Sequence, residues 1–330
     1  MVMEWWWTGV LCHPGWVVST VVLGLVVRMQ RKGSWNPRAC PVDLTGKTAI
    51  VTGANTGIGK FIALDLARRK ARVILACRSQ ERGQAALEEI RRKSHNSNVH
   101  LQLVDTSSLR SVRDFAHRIN KEEKRLDILV NNAGASGLPK AMTSEGLELS
   151  FATNHLGPFL LTHLLLDLIK RSAPARIVNV SSANHWRGVV DFSHFHGENL
   201  TYRLDSVYNH TKLHNILCTS ELARRLQGTG VTANSLHPGV VMTEVMRHYN
   251  WLIRALFNIV GFFFMKSSEE GAVSSIYCAV SEDVEGVTGK YFDSDCSLVL
   301  PAPLARDPAL ARKDWEVCKR LTGLSGGKDQ

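Results

Sequence analysis

Short apolar runs alternate along the chain with longer segments that show the 3.6-residue periodicity of amphipathic helices. The predicted strands are Thr48–Gly53, Arg72–Arg78, Val99–Asp105, Leu126–Gly134, Arg176–Ser182 and Val231–Gly239. The predicted helices are Gly59–Arg69, Glu81–Lys93, Ser108–Glu122, Thr153–Lys170 and Val207–Leu226. Strands that alternate with helices are typical of βαβ units in a parallel sheet. Since the pattern continues to about Phe292 without a break, it predicts an α/β fold with a single doubly wound domain.

A long apolar segment precedes this pattern. Trp5–Val27 contains 23 residues without a formal charge, which is enough for a helix to cross a hydrocarbon core of about 30 Å. Because His13 and Pro14 interrupt it, an interfacial Trp-rich patch with a short inserted helix stays open, as does a buried helix. Basic residues begin at Arg28, after the segment. This order disfavours a signal peptide and places the remaining chain in the cytosol.

The amino-acid composition agrees with a folded α/β domain and adds an excess of basic residues. With 330 residues, of which 44% are hydrophobic and 21% charged, the chain has material for a large core, which excludes disorder, collagen and coiled coils. The 40 basic residues exceed the 30 acidic ones and give a net charge of +10, which indicates an anionic cofactor or a membrane surface. Nucleic acid is not an expected partner, since the basic residues are dispersed and no binding module is recognisable.

The first predicted strand leads into a glycine-rich turn that opens a helix. Gly53, Gly57 and Gly59 have the spacing G-x-x-x-G-x-G within TGANTGIG. Glycines let the backbone approach a pyrophosphate, and the helix N-terminus offers free N–H groups and a positive dipole. Such turns also serve simple strand-to-helix packing. The combination of strand, turn and helix nevertheless favours a dinucleotide site.

The end of the second strand bears on the choice of cofactor. An NAD site usually has an acidic residue there, whereas this chain has Arg78. An arginine can pair with a ribose 2′-phosphate, so the sequence favours NADP(H) over NAD, the alternative being a solvated strand-end charge. Asp105 ends the next strand and is a candidate contact for the adenine amino group or, alternatively, an acid at a helix N-terminus.

Tyr208 and Lys212 are four residues apart on one predicted helix and therefore share a face. An ammonium beside a phenol favours the phenolate, which lowers the pKa of the tyrosine toward the range useful for acid–base catalysis at a carbonyl or alcohol. We therefore expect Lys212 to lower the pKa of Tyr208.

Three motifs in this order, TGANTGIG, NNAG at Asn131–Gly134 and YNHTK at Tyr208–Lys212, resemble those of the short-chain dehydrogenase/reductase family over about residues 45–300. The resemblance implies a Rossmann domain and a catalytic group of Tyr208 as general acid/base, Lys212 as its partner and ribose ligand, Ser182 as the group that orients the carbonyl, and Asn154 as the support of a proton-relay water. The implied cofactor-binding residues are Gly53, Asn55, Thr56, Gly57, Ile58, Gly59, Arg78, Asp105, Asn131, Ala133, Gly134, Tyr208, Lys212, Pro238, Gly239 and Thr243. We expect no metal.

Within that family the sequence is similar to the membrane-associated retinol dehydrogenase group, in segments such as LACRS, NHLGPFLLTHLLL and HPGVV. This resemblance implies an NADP(H)-dependent enzyme of retinal or other lipophilic aldehydes, ketones and alcohols, at the endoplasmic reticulum membrane with the catalytic domain facing the cytosol. Two departures are Ala135–Gly137 after NNAG, where bulkier residues are expected, and Pro158, where histidine is common. The implied organisation is an anchor with a basic flank at 1–38, the Rossmann domain at 39–300, and a C-terminal helix with a flexible tail at 301–330.

Other segments bear on the substrate. Ser182 and Tyr208 are 26 residues apart, and the long connection is expected to form a loop beside the site. Its histidines, His185, His194 and His196, lack carboxylates or thiolates at ligand spacing, so a metal is not expected there. Trp251–Met265 is too short to span a bilayer. It is either a substrate lid, a membrane-dipping helix, or a core or homodimer-interface helix.

Two other functional classes agree less well with the sequence. A membrane-bound scaffold that holds a cofactor without turnover is disfavoured by the intact set of Ser182, Tyr208 and Lys212. A serine hydrolase is excluded because no G-x-S-x-G elbow precedes a helix.

Overall fold

The computed structural model describes residues 35–241 and 265–324. It contains one sheet of eight strands, which are β1 Thr48–Thr52, β2 Arg72–Cys77, β3 Val99–Leu103, β4 Ile128–Asn131, β5 Ala175–Val180, β6 Val231–Leu236, β7 Tyr291–Phe292 and β8 Leu298–Val299. Their order across the sheet is β3-β2-β1-β4-β5-β6-β7-β8. All neighbours are parallel except β7 and β8. The predicted α/β fold with a mainly parallel sheet is therefore confirmed.

The antiparallel edge strand β8 was not predicted. It has only two residues, one of them the exposed Leu298, and a strand of that length carries no readable periodicity.

Helices cover both faces of the sheet. They are α1 Gly57–Arg68, α2 Gln80–Ser94, α3 Leu109–Glu122, α4 Leu149–Phe151, α5 Gly157–Arg171, α6 Ser206–Arg225, α7 Ser268–Val280 and α8 Pro308–Leu321. A π-helical turn, Ala152–Leu156, joins α4 to α5. The helix predicted from Thr153 thus begins four residues earlier, where the buried Glu148 accepts a hydrogen bond from the Phe151 N–H and caps it.

The core lies in two layers on either side of the sheet. One layer is built around Phe115, Phe151 and Leu165 between the sheet and α3, α5 and α6. The other is built around Ile62 and Ile276 between the sheet and α1, α2 and α7. Because both sheet faces are covered, the central strands read as continuous apolar runs, as β1 does in the sequence.

The strand order places a crevice at the carboxyl end of β1. The chain leaves β1 toward β2 and β3 on one side, and returns to β4 on the other. In open α/β sheets, ligands bind where the strand order reverses in this way. The turn that follows β1 and the loop that follows β4 therefore meet at the expected ligand site.

The final helix packs against the body of the domain. The Trp315 ring of α8 meets Phe159 of α5 with 4.9 Å between ring centroids, and the Arg225 guanidinium lies 4.9 Å from the Trp315 ring. Arg225 also pairs with Glu316 at 2.8 Å. These contacts hold α8 along α6.

Two predicted segments cannot be compared with the structure. Trp5–Val27 lies outside the described residues, as does Trp251–Met265 apart from its last residue. Among residues 35–241 and 265–324, no helix combines the length and the apolar character that a bilayer span requires.

Candidate active site

The glycine-rich turn lies between β1 and α1, as the sequence predicts. Thr56 precedes α1 in an extended conformation and its side chain makes no capping hydrogen bond. Gly57, the first residue of α1, has a φ of +53°, which glycine adopts without strain. The first N–H groups of α1 are therefore available to an anionic ligand at the positive end of the helix dipole.

Gly59 marks the closest approach within this turn. A Cβ atom at Gly59 would lie 2.4 Å from the Gly53 carbonyl oxygen and 2.5 Å from Asn132 Nδ2. Asn132 in turn donates from Nδ2 to the Thr52 carbonyl at 2.9 Å, and its backbone N–H donates to Thr52 Oγ1 at 3.0 Å. Asn132 thus joins the loop after β4 to the glycine turn. The sequence analysis did not single it out, although it lies within the NNAG motif.

Arg78 and Asp105 lie next to each other at the carboxyl ends of β2 and β3. Arg78 is 59% exposed, and its guanidinium is 3.7 Å from Asp105 Oδ2. Asp105 Oδ1 accepts hydrogen bonds from the N–H and hydroxyl of Ser107. Lys60, the other cation near the turn, is paired with Glu89 at 2.8 Å. Arg78 is therefore the more accessible of the two cations near this edge of the crevice.

Helix α6 brings Tyr208 and Lys212 beside Ser182 at the end of β5. The Lys212 ammonium is buried, lies 5.3 Å from the centroid of the Tyr208 ring, and donates to the Val180 carbonyl at 2.9 Å. Ser182 lies beside Tyr208 and opposes the rise of the phenol's pKa. The three residues that the sequence predicts as the catalytic core thus form one group.

Acid–base properties of this group differ from the expectation. The pKa of Tyr208 is raised to about 12, mainly by burial and to a smaller extent by the negative charge of Asp205, while Ser182 opposes the change. Burial lowers the pKa of Lys212 to about 8. The expected lowering of the Tyr208 pKa by Lys212 is wrong for this arrangement, because Lys212 Nζ is bonded to the sheet and desolvation dominates. Tyr208 is therefore a protonated phenol at neutral pH.

Asn154 lies on the π-helical turn and contacts the loop that follows NNAG. Its side-chain amide accepts from the Ala135 N–H at 2.8 Å and donates to the Ala135 carbonyl at 2.9 Å. Its backbone carbonyl accepts from Asn215 Nδ2 of α6 at 3.1 Å. The π turn interrupts the regular helical ladder, as such turns often do at functional sites. Asn154 thereby ties this loop, the turn and α6 together.

Asp205 makes a second connection from the same loop. Its carboxylate accepts from the Gly137 N–H at 2.9 Å and from the Ser136 hydroxyl. Asp205 directly precedes α6 with a φ of +61°, a conformation that Asp and Asn tolerate better than most residues. The small residues after NNAG, which depart from the expected pattern, are therefore attached to the start of α6. The sequence offered no signal for this contact.

The other NNAG residues divide between two roles. Asn131 Nδ2 donates to Thr162 Oγ1 at 2.9 Å and to Asn179 Oδ1 at 2.8 Å, so its side chain links β4 to α5 and β5. The Ala133 N–H donates to Thr52 Oγ1 at 2.9 Å. A Cβ at Gly134 would lie 3.1 Å from Lys212 Nζ. Ala133 and Gly134 therefore border the crevice, whereas the side-chain amide of Asn131 forms hydrogen bonds within the sheet and to α5.

Pro238 and Gly239 follow β6 on the same edge of the sheet. Gly239 has a φ of +86°, and its N–H donates to His237 Nδ1 at 3.1 Å. His237 Nε2 pairs with Asp293 at 2.9 Å. Thr243, the third residue predicted here, lies outside the described residues.

The long connection before Tyr208 is packed rather than free. Phe195 is fully buried and packs against Phe151 with 4.8 Å between centroids. His185 Nε2 accepts from the Ala302 N–H at 3.0 Å, so its Nδ1 donates to the Ser182 carbonyl at 2.7 Å. His194 stacks on His210 at 4.8 Å. His185 therefore holds the backbone of the catalytic Ser182, a role that the sequence did not indicate.

Comparison with known proteins identifies the family of this chain. Residues 47–251 match the family described as short chain dehydrogenase. The chain belongs to this family. Human retinol dehydrogenase 13 is 47% identical over 292 residues, which cover 87% of this chain and 88% of that protein. Mouse retinol dehydrogenase 12 is 47% identical over 283 residues, which cover 86% and 88% respectively.

A solved structure supports the fold and the class of cofactor. The 3-oxoacyl (acyl-carrier-protein) reductase from Agrobacterium tumefaciens, with NADP bound, is 25% identical. It superimposes with a TM-score of 0.62 and covers 76% of this chain and 93% of its own. The chain is therefore a short-chain oxidoreductase of the NAD(P)-binding type, with retinol dehydrogenases among its homologues.

Replacing Gly59 with Ala tests the close approach in the glycine turn. The added Cβ has to displace the Gly53 carbonyl or the Asn132 amide, so we expect NADPH affinity to fall by about tenfold or more. Affinity is measured by quenching of tryptophan fluorescence, and folding by circular dichroism. Gly146→Ala is the control for backbone strain without a close contact, because Gly146 has a φ of +73° but no atom lies within 4 Å of its Cβ position. Equal affinity in the two variants would contradict this assignment.

Proposed function

We propose that the protein is an NADP(H)-dependent oxidoreductase that interconverts lipophilic aldehydes or ketones and their alcohols, with retinal and retinol as the first candidates. The observation that carries the proposal is the grouping of Ser182, Tyr208 and Lys212 beside the crevice at the end of β1. The homologues named retinol dehydrogenase support the substrate class.

The residues divide the chemistry between them. A bound nicotinamide cofactor would supply or accept the hydride. Tyr208, protonated at neutral pH, gives its phenolic proton to the carbonyl oxygen during reduction and takes one from the alcohol during oxidation. Ser182 lies beside Tyr208 and orients the same oxygen. Lys212, whose buried ammonium donates to the Val180 carbonyl beside the Tyr208 ring, would bind the ribose of the nicotinamide cofactor.

The cofactor preference is inferred from Arg78, which lies at the edge of the crevice. Arg78 is exposed at the end of β2, and its guanidinium makes only a weak contact with the Asp105 carboxylate, at 3.7 Å. Its guanidinium is free to form charge-assisted hydrogen bonds with a ribose 2′-phosphate. An acidic residue in this place would repel that phosphate and favour NAD. We therefore assign NADP(H), with Asp105 beside the adenine.

Exposed apolar side chains lie on the segments that follow β5 and β6 and on the segment that binds His185, and they suit a lipophilic substrate. Trp186 is 59% exposed and follows Ser182 by four residues, while Val240 is 61% exposed directly after the Pro238–Gly239 turn. Leu300, at 72%, is two residues from Ala302, which binds the ring of His185. Large exposed apolar residues on neighbouring segments are typical of binding sites for apolar ligands or membranes.

Membrane attachment belongs to the same proposal. Trp5–Val27 has the length and composition of an anchor, and basic residues follow it. We propose a protein of the endoplasmic reticulum membrane with an anchor and basic flank at 1–38, the catalytic Rossmann domain at 39–300 facing the cytosol, and a C-terminal region at 301–330.

The central test is NADPH oxidation by the full-length protein in membranes, with all-trans-retinal and a panel of apolar aldehydes and ketones. We expect turnover by the wild type and a loss of about 10²-fold or more in Tyr208→Phe, which cannot donate the proton. Tyr277→Phe, on α7, is the matched control and should retain activity.

The panel also distinguishes other functions. Turnover of steroid or lipid ketones in preference to retinal would assign a different lipophilic carbonyl reductase. Tight NADPH binding without turnover of any compound would replace the proposal with a cofactor-binding scaffold.

Arg78→Ala tests the cofactor assignment. Loss of the charge-assisted contacts should raise the KM for NADPH by about ten- to a hundredfold and leave the KM for NADH nearly unchanged. Steady-state kinetics with both cofactors measure the ratio. Arg92→Ala, at the far end of α2, removes the same charge as a control. A change of similar size for both cofactors would count against the 2′-phosphate contact.

The pH dependence should differ between the two directions. Because the pKa of Tyr208 is raised to about 12, reduction finds the phenol protonated and should not increase between about pH 6 and pH 9. Oxidation requires the phenolate and should increase over the same range. In Asp205→Asn, the negative charge that raises the Tyr208 pKa is removed, so the oxidation profile should shift to lower pH. An oxidation rate that is constant above pH 7 would disagree with this assignment.

A further inference from the structure

Beneath α6, His155, Asp314 and Cys318 form a buried group that the proposed reaction does not use. One ligand atom from each of the three lies within 4.8 Å of the other two. All three side chains are at most 1% exposed. In the part of the chain that the structure describes, this is the one set of three metal-ligating side chains that converges in this way. We call it the His–Asp–Cys group.

Its internal distances approach those of a tetrahedral metal site. His155 Nε2 is 3.1 Å from Cys318 Sγ and 3.7 Å from Asp314 Oδ2, while Cys318 Sγ is 3.9 Å from the other oxygen of that carboxylate, Oδ1, and within 4.8 Å of the ligand oxygen. Zinc bonds of about 2.0 Å to nitrogen or oxygen and about 2.3 Å to sulfur separate neighbouring ligands by about 3.3–3.6 Å in a tetrahedron. An ion at the centre of the group would require only small shifts of the three side chains.

The backbone explains why these side chains meet. Asp314 and Cys318 are four residues apart on α8 and share the face that packs against α6. His155 lies on the π-helical turn. The docking of α8 through Trp315 therefore brings ligands from two ends of the sequence together.

Hydrogen bonding sets the tautomer of His155 in the form that a metal needs. Asn215 Nδ2 donates to the Asn154 carbonyl at 3.1 Å, so Asn215 Oδ1 faces His155 Nδ1 at 2.9 Å. An amide oxygen only accepts, and His155 Nδ1 must therefore carry the hydrogen. The lone pair of Nε2 is left facing Cys318 and Asp314. Ligating histidines in metal sites have this same outer hydrogen bond.

Asp314 supplies an independent observation. Its Oδ1 accepts from His214 Nδ1 at 2.6 Å, whereas its buried Oδ2 has no hydrogen-bond partner among the described residues. A buried carboxylate oxygen without a partner is costly. A divalent cation would pair with Oδ2 and, together with a Cys318 thiolate, would leave the site electrically neutral.

We propose that His155 Nε2, Asp314 Oδ2 and Cys318 Sγ bind a zinc ion that fastens α8 to the π-helical turn and α6. A mixed nitrogen, oxygen and sulfur set favours zinc over calcium or magnesium, which prefer oxygen ligands alone. The Cys318 thiol releases its proton to solvent as the zinc–sulfur bond forms. His155 is hydrogen-bonded to Asn215, and Asn215 donates to the Asn154 carbonyl. The ion therefore also stabilises the position of Asn154.

This proposal departs from the absence of a metal that we expected from the sequence. His155 is 159 residues from Asp314 along the chain, and no spacing rule connects ligands so far apart. The competing structure is a simple hydrogen bond, in which the Cys318 thiol donates to His155 Nε2 and the Asp314 oxygen stays unpaired.

The test uses the full-length protein, purified with reductant and without a metal-affinity tag. Zinc content is measured by mass spectrometry, and the zinc is then exchanged for Co²⁺, whose absorption reports thiolate ligation and tetrahedral geometry. We expect about one zinc ion per chain, a thiolate-to-cobalt absorption band, and a lower melting temperature after chelation.

Variants assign the ligands. Cys318→Ser and Asp314→Asn should lose the ion and the response of the melting temperature to chelator, whereas Cys278→Ser, at another buried cysteine, should keep both. The proposal would be overturned by wild-type protein that folds and binds NADPH but carries no zinc after incubation with zinc. Such protein would also give no cobalt–thiolate band and would melt at the same temperature with and without chelator. Zinc that persists in Cys318→Ser would overturn it equally, since the ion would then lie elsewhere.

Discussion

The buried ammonium of Lys212 is the contact on which the rest of the site depends. It is 3% exposed and donates to the Val180 carbonyl at the end of β5, and Ser181 Oγ donates to the Lys212 carbonyl from the same strand end at 2.7 Å. A buried charge must be hydrogen-bonded, so α6 has little freedom to slide along the sheet. This position brings Tyr208 to Ser182 and sets where every other catalytic group must be.

Short polar contacts carry that position outward to the neighbouring segments. Asn154 holds the loop after β4, and Asp205 attaches the same loop to the start of α6. Asn132 joins this loop to the glycine turn. The glycine turn, the loop after β4 and the group of Ser182, Tyr208 and Lys212 are therefore parts of one hydrogen-bonded unit, whose members come from the ends of β1, β4 and β5, from the π-helical turn and from α6. Helix α8 packs against α6, and the His–Asp–Cys group lies at this contact.

Much of this arrangement could be predicted from the sequence. The six long strands were readable because apolar runs of β-branched residues recur between helical stretches, and the glycine turn because strand, glycines and helix coincide. Tyr208 and Lys212 were readable as a pair because helical spacing places them on one face. The two-residue strands β7 and β8 are too short to show such a signal. The raised pKa of Tyr208 was missed because burial cannot be read from residue spacing.

The sequence by itself determined the elements, their order and the chemical identity of the reacting groups, because periodicity and local motifs act over a few residues. Only the tertiary structure decided which partners those groups have. Asp205 with Gly137, His185 with Ala302, and His155 with Cys318 are pairs separated by long stretches of the chain. Their contacts arise from the packing of helices against the sheet, which depends on the whole core, and no short pattern encodes it.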